Sequence, residues 1–476
     1  MHALRLSAVT LGVALAGGWA GAAAAQGAVS TSTTASVSGL SVEHFAIAMN
    51  PSGERSAVAF EGLVPGSRGR RTRLFARLGR GRRFGINQEL DDVRSGPGIR
   101  AQGSISDVRV AVSPEGVAVA GWIVTTVAKR DGPVRRQVRV ATAPAGKRFG
   151  RPLTVLAGSL NSTLYLAGLV VGDRGLTVLC LERGNRVEIL VRRRVGARFA
   201  PRQRIGGDTP FEAPPTLALA PDGKILAAWT TQSDATAKGS VLRKRGLRFG
   251  PAQTLSPPGE PTAFARAVAG PGGAGVAWRH TASPSSPVRF ARLRAADRTF
   301  AAPVTVADVR ISGAPHVAIP RIGLVAAWRN YEVVSEPGDN DYFRNPRLTA
   351  TASWLGAIGP RALTALPALA LRPALAALAD RALVAWQEVP PSETDPRIRV
   401  AAAVANGWQP TETVPPAAPT EQRPRPTTSV LGDERPGGGD LAIAAGRSTA
   451  VLAFVTFTSA SDGELIGTLR VAGYRP

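Results

Sequence analysis

The sequence predicts an all-β chain folded as a β-propeller, on three observations. An aromatic residue closing an apolar run recurs at a blade-sized spacing of roughly 50–65 residues. A Pro-x-Gly turn commonly precedes that run, with period-two alternation before the turn. Composition agrees: 52 Gly and 38 Pro in 476 residues supply many turns, while 44% hydrophobic residues suffice for a core.

The repeat is plainest in APDGKILAAW, residues 220–229. Aligned on its last residue, the series runs Phe60, Trp122, Trp229, Trp278, Trp328, Trp386 and Phe454. The interval from Trp122 to Trp229 is double, and Cys180 in LTVLCLE stands halfway along it, giving eight units. Each unit opens with an alternating run such as VRVAVSPEG or PTLALAPDG, which reads as a strand and a tight turn. The second strand ends in the aromatic. A third alternates apolar residues with Arg, as in TRLFARL and RQVRVAT. A turn then leads to Phe plus a small residue (Phe84, Phe149, Phe199, Phe249, Phe300) and a fourth strand such as PAQTL; Trp354 and Trp408 are degenerate versions of this marker.

The expected architecture is therefore eight four-stranded blades, with seven blades plus an appended C-terminal repeat as the alternative. The last unit supplies only about three strands, and residues 33–42 (TTASVSGLSV) are expected to complete it and close the ring. Residues 362–386 are Ala- and Leu-rich and look helical by propensity. The repeat register of PALALRP favours a strand, with room for a short helix before Trp386.

Residues 1–25 read as a signal peptide: Arg5, an apolar run over 6–16, and small residues at 23–25. Residues 26–476 then form one propeller domain, with a flexible Pro/Gly-rich insert at about 415–440. No second apolar run of about 18 residues follows, so no transmembrane segment is expected. The protein is expected to be a monomer, secreted or at the cell envelope.

Net charge is +24, and only five of the 58 basic residues are Lys. Arg excess beside abundant Ala, Gly and Pro is also what GC-rich coding produces. Such charge attracts acidic polymers or glycans, and nucleic acid only non-specifically. In up-and-down blades the first and third turns share one face. The third turns are basic in the early units, so Arg80, Arg82, Arg83, Lys147, Arg148, Arg194, Arg198, Arg245 and Arg248 are the polyanion-binding candidates. The opposite face holds the variable loops and is expected to carry Asp91, Asp92, Asp208 and Glu388. Its loop at residues 331–343 is long, acidic and aromatic, which makes Tyr331, Glu332, Asp339, Asp341 and Tyr342 ligand-binding candidates, with a protein as the partner expected on this face.

In repeat length and export setting the chain resembles secreted bacterial β-propellers of the sialidase-like or BNR-like type. The resemblance covers nearly all of the mature chain. It implies, as an alternative function, a glycan-acting glycoside hydrolase with its site at the central channel mouth. The family's Asp-box does not carry over: Pro221-Asp222-Gly223 lies between the first and second strands, not the third and fourth. The family's Arg triad, Tyr–Glu pair and Asp acid cannot be matched to residues here, with Tyr only at 165, 331, 342 and 474. No catalytic residue is assigned.

One cysteine, Cys180, excludes an intramolecular disulfide. His44, His280 and His316 lack metal spacing, and Asp339-Asn340-Asp341 lacks that of an EF-hand loop, so neither metal nor cofactor is expected. The function that follows is a non-catalytic secreted binding or scaffold propeller of unknown ligand.

Overall fold

The computed structural model describes residues 28–30, 32–37, 40–64, 70–81, 83–95, 102–127, 134–159, 164–210, 213–242, 246–281, 287–294, 298–307, 312–334, 342–354, 356–362, 369–389, 397–405, 407–415, 441–459 and 465–475. The expected signal peptide and the insert at about 415–440 fall almost entirely outside them. Among the described residues the chain is an all-β propeller, and the only helical turn is the 3-10 turn Asp173–Gly175.

The strands form eight antiparallel sheets of four or five strands. Their inner strands, in chain order, are Ser41–Met49, Gln102–Val112, Leu164–Val171, Thr216–Leu219, Thr262–Gly270, Ser312–Ala318, Leu369–Ala377 and Leu441–Ala445. Each touches the inner strand of the next sheet, and Leu441–Ala445 touches Ser41–Met49. Every residue of the aromatic series, and Cys180, lies on a second strand. These strands are sequestered on both faces; Ile225–Thr230 is buried throughout. That is why they read as continuous apolar runs. The five tryptophans of the series are at most 1% exposed. Each removes about 150–250 Å² from water, on the order of 4–6 kcal/mol before entropy is subtracted.

The outer strand is interrupted. In the first sheet, strand Arg70–Arg80 pairs with Arg83–Phe84 and then, after a gap, with Gln88–Ser95. In the fourth and fifth sheets a lone bridge at Phe249 or Phe300 precedes the gap. Pro251 and Pro303 stand in those gaps, and proline has no N–H to give the ladder. Trp408 pairs in the same manner, with Ala403, whereas Trp354 ends a third strand, Tyr342–Trp354.

The N-terminal segment pairs with the last strand, Leu465–Arg475, starting earlier than expected. Ala28–Val29 and Thr33–Thr34 form that pairing. Ser41 and Val42, expected in the same closing strand, belong to the first sheet. The Ala/Leu-rich segment is a strand, Leu369–Ala377, in register with Arg381–Val389. Propensity yielded to pairing there.

Candidate functional site

Cross-strand register builds a cluster of positive charge on the edge of the first sheet. In the first sheet Arg55 is the partner of Arg80, and Arg80 the partner of Arg83. Three guanidinium side chains therefore start from adjacent positions on adjacent strands. Like charges placed so cost a sheet up to about 1 kcal/mol per pair. The turn between Arg80 and Arg83 needs a left-handed residue, supplied by Gly81 at φ 58°. In the second sheet, the turn after strand Val134–Ala143 holds Lys147 and Arg148, and the Lys147 N–H donates to the Pro144 carbonyl at 2.9 Å.

A groove of about 480 Å³ between these two sheets is lined by Arg55, Arg80, Arg83, Lys147 and Arg148. Among the described residues its lining contains no Asp or Glu. Leu78, Phe84, Val112 and Phe149 give it an apolar floor, and Ile86, 65% exposed, borders it. Gly116 of the neighbouring first turn lies close enough that a Cβ would come within 2.9 Å of the Arg55 stem. The groove thus sets basic side chains above an apolar floor.

A side-chain clamp fixes the distance between the two groove walls. Gln88 on the outer strand of the first sheet donates to the Phe149 carbonyl at 2.6 Å and accepts the Phe149 N–H at 2.9 Å. Gln203 clamps Phe249 likewise, at 2.9 and 2.8 Å. Gln253 donates to the Arg298 carbonyl at 2.6 Å. Each Gln lies four residues after the Phe of its own sheet, so Phe-small-x-x-Gln was present in the sequence. Sequence reasoning recognised only its first half.

Of the polyanion candidates, Arg80, Arg83, Lys147 and Arg148 come together, joined by Arg55, which the sequence reading missed. Arg194, Arg198 and Arg248 are exposed in the third and fourth sheets and do not line this groove. Arg82 and Arg245 lie outside the described residues. The face is also less uniformly basic than expected. Its first turns bring Glu54, Glu115, Asp222 and Asp380. Asp222 pairs with Lys224 at 2.8 Å and Asp380 with Arg381 at 2.9 Å.

The opposite face differs more. Residues 331–343 were read as one loop, but strands Leu324–Val334 and Tyr342–Trp354 extend into it. Tyr331, Glu332 and Tyr342 are strand residues, with Val334 opposite Tyr342 and Glu332 opposite Arg344. Asp339 and Asp341 lie outside the described residues. The other acids expected to project from loops here have structural partners. Asp91 accepts the Trp122 indole N–H at 2.7 Å and pairs with Arg139 at 2.9 Å. Asp92 pairs with Arg71, whose hydrogen bond holds the carboxyl below its usual range. Asp208 accepts the Ser233 N–H at 2.6 Å, and Glu388 pairs with Arg399 at 3.1 Å. Burial pushes the Cys180 thiol up, as expected of a packing residue.

No family model matches the chain, and no curated protein matches it in sequence. Its neighbours among solved structures include sialidases, a neuraminidase-like protein, polysaccharide lyases and a β-propeller protease domain. It is similar to a Hadza microbial sialidase at 10% identity and TM-score 0.38, over 60% of this chain and 63% of that one, less than two thirds of the sialidase. It is similar to polysaccharide lyase Uly1 at 10% identity and TM-score 0.40, over 88% of each chain. It is similar to the β-propeller domain of the Trilobed protease from Pyrococcus furiosus at 7% identity and TM-score 0.42, over 80% of this chain and 96% of that one.

Proposed function

We propose that the chain is a secreted, non-catalytic β-propeller that binds an acidic polysaccharide along the groove between its first two sheets. The observation carrying this reading is the run Arg55–Arg80–Arg83 of cross-strand partners facing Lys147 and Arg148, with no carboxylate in the lining. Like charges set side by side are tolerated where a counter-charged ligand relieves them. The Arg fork suits carboxylate and sulfate groups of a glycan, and the apolar floor suits the sugar faces between them.

The wider reading has separate support. The stepwise contact of all eight inner strands, returned from the last to the first, favours one eight-bladed ring over seven blades and an appendage. The Arg5 and apolar 6–16 segment supports export, with the mature chain starting at Gln26. No helix among the described residues is long and apolar enough to cross a membrane. For a glycan hydrolase at the channel mouth, no Asp or Glu stands among the described residues that line the central space to support it.

The test is retention of the mature protein on a panel of acidic glycans and wall polymers across a salt series. Selective retention of one polymer at moderate salt, weakened about tenfold by R83Q/R148Q, is the expected result. Equal, smoothly salt-sensitive binding to every polyanion, indifferent to R83Q/R148Q, would leave only a composition effect.

A further inference from the structure

The outer strands differ in how they guard their free edges. An edge strand presents unpaired N–H and C=O groups, which charge, proline or shortness ordinarily blunts. Among the described outer strands of five residues or more, Gln88–Ser95 carries Glu89, Asp91, Asp92 and Arg94. Gln203–Gly207 carries Arg204, and Gly356–Ala362 carries Pro360 and Arg361. The outer pieces of the other sheets have four residues or fewer. Strand Leu153–Ser159 of the second sheet differs from all of these: its 7 residues, LTVLAGS, include neither charge nor proline. Among the described residues it pairs with Val134–Ala143 alone, so its other edge is open.

A bulge shifts the register between Val138 and Arg139 and leaves Val155 as the extra residue. Leu156 to Ser159 then form an unbroken ladder opposite Val138 to Arg135. Beside this stretch a recess of about 600 Å³ is lined by Val155, Leu156, Leu190 and Phe199, and by Arg202 and Arg204. Its one acidic lining residue, Glu188, is taken up by Arg202 at 3.0 Å. Arg135 and Arg136 stand opposite Ser159 and Gly158, and Arg151 precedes the strand. Among the described residues no carboxylate pairs with any of these three arginines. An open backbone edge, an apolar recess and unneutralised cations therefore adjoin.

We propose that this edge is the docking site for an extended acidic segment of another protein, which adds to the second sheet as a fifth strand. Main-chain hydrogen bonds along the open edge supply affinity. Every second side chain of the segment faces the recess, where an apolar residue is buried, and acidic residues at the other positions meet the arginines. A second copy of this chain fits less well. Paired antiparallel with itself, the strand would bring the Arg135–Arg136 end of one chain beside the Arg151 end of the other, between molecules of net charge +24. The surface shares no residue with the groove between the first two sheets, and it does not depend on a glycan ligand.

The test is fluorescence polarisation of the full mature chain with a labelled nine-residue peptide that alternates valine with aspartate, in near-physiological salt. Saturable binding at a single site is expected. A157E puts a carboxylate at an exposed point on the edge and should weaken binding about tenfold or more. R135Q/R136Q should weaken it several-fold. Every second residue of a strand directs its N–H at the neighbouring strand. N-methylation of one alternate set, the valines or the aspartates, should therefore abolish binding while methylation of the other set does not. That comparison uses the wild-type chain, so it decides the matter even if A157E does not fold. The proposal is overturned if the peptide does not bind at sub-millimolar concentration, if the two methylated peptides bind alike, or if folded A157E binds as wild type does. Self-association of the wild type that A157E removes would assign the edge to a second copy and overturn it equally.

Discussion

Replacing Asp91 by Ala would strand two donors at once: the Trp122 indole N–H, in a side chain that is fully buried, and Nη1 of Arg139, whose other nitrogens stay bonded to Gln137. The expected loss is about 2 kcal/mol, read as a lower denaturation midpoint at unchanged slope. Asp91→Asn keeps an acceptor for the indole and should lose less. A cost for D91N equal to that for D91A would mean the charge matters and the indole bond does not. Asp91 shows why polar residues were hard to read from sequence. An acid in a run of polar residues looks like a loop charge, and nothing local reveals that the next sheet's tryptophan lies against it. Arg192 misleads in the same direction. It is 4% exposed, bonded to Thr142 and Thr177 at 2.9 Å each, and burial lowers its pKa. In a chain this rich in Arg, a buried one carries no mark. The large apolar residues were legible because their environment is set by size alone: every Trp of the series is where packing requires it.

At the level of the strand, the glutamine clamp makes a prediction about the sheets that lack it. In the second and fifth sheets the position four residues after the Phe marker holds Leu153 and Val304. Both are exposed, at 49% and 57%, so these apolar side chains gain little where they stand. Leu153→Gln should create the missing clamp on Phe199 and stabilise the fold by about 1 kcal/mol, measurable as a higher Tm. Gln203→Ala should cost about 1–2 kcal/mol, because it leaves a buried backbone pair at Phe249 without its partner. A neutral L153Q alongside a costly Q203A would show that the clamp depends on sheet spacing and does not transfer. The strand order within each sheet was legible from alternation and turn chemistry. The split of the outer strand was not, because two-residue pieces such as Arg83–Phe84 lack any period. Close approach was equally hidden: a Cβ on Gly206 would meet the Trp229 ring at 2.6 Å, so the outer strand of the third sheet needs glycine there.

Across the whole molecule, the recurrence of one sheet was legible because one packing problem is solved repeatedly. The groove was not, because it forms between sheets whose charged turns are more than sixty residues apart in sequence (Arg80 and Lys147). Closure was half legible: the need for an extra strand could be counted, but its pairing register could not. A chain lacking residues 26–36 should expose the edge of strand Leu465–Arg475. It should melt about 5 °C lower or more and associate with rising concentration, seen by size-exclusion chromatography. A monomeric, equally stable truncation would show that the N-terminal pairing contributes nothing. That pairing also dictates the order of events in folding. Ser30 accepts the N–H of Gly473, 443 residues away. Joining such distant ends costs about 5 kcal/mol of chain entropy if nothing between them has formed. Each sheet that forms in between shortens the effective loop, so the latch falls shut after the sheets it joins. The first strands in the sequence are thus among the last to find their place, and until the C-terminal strand arrives they stand unpaired.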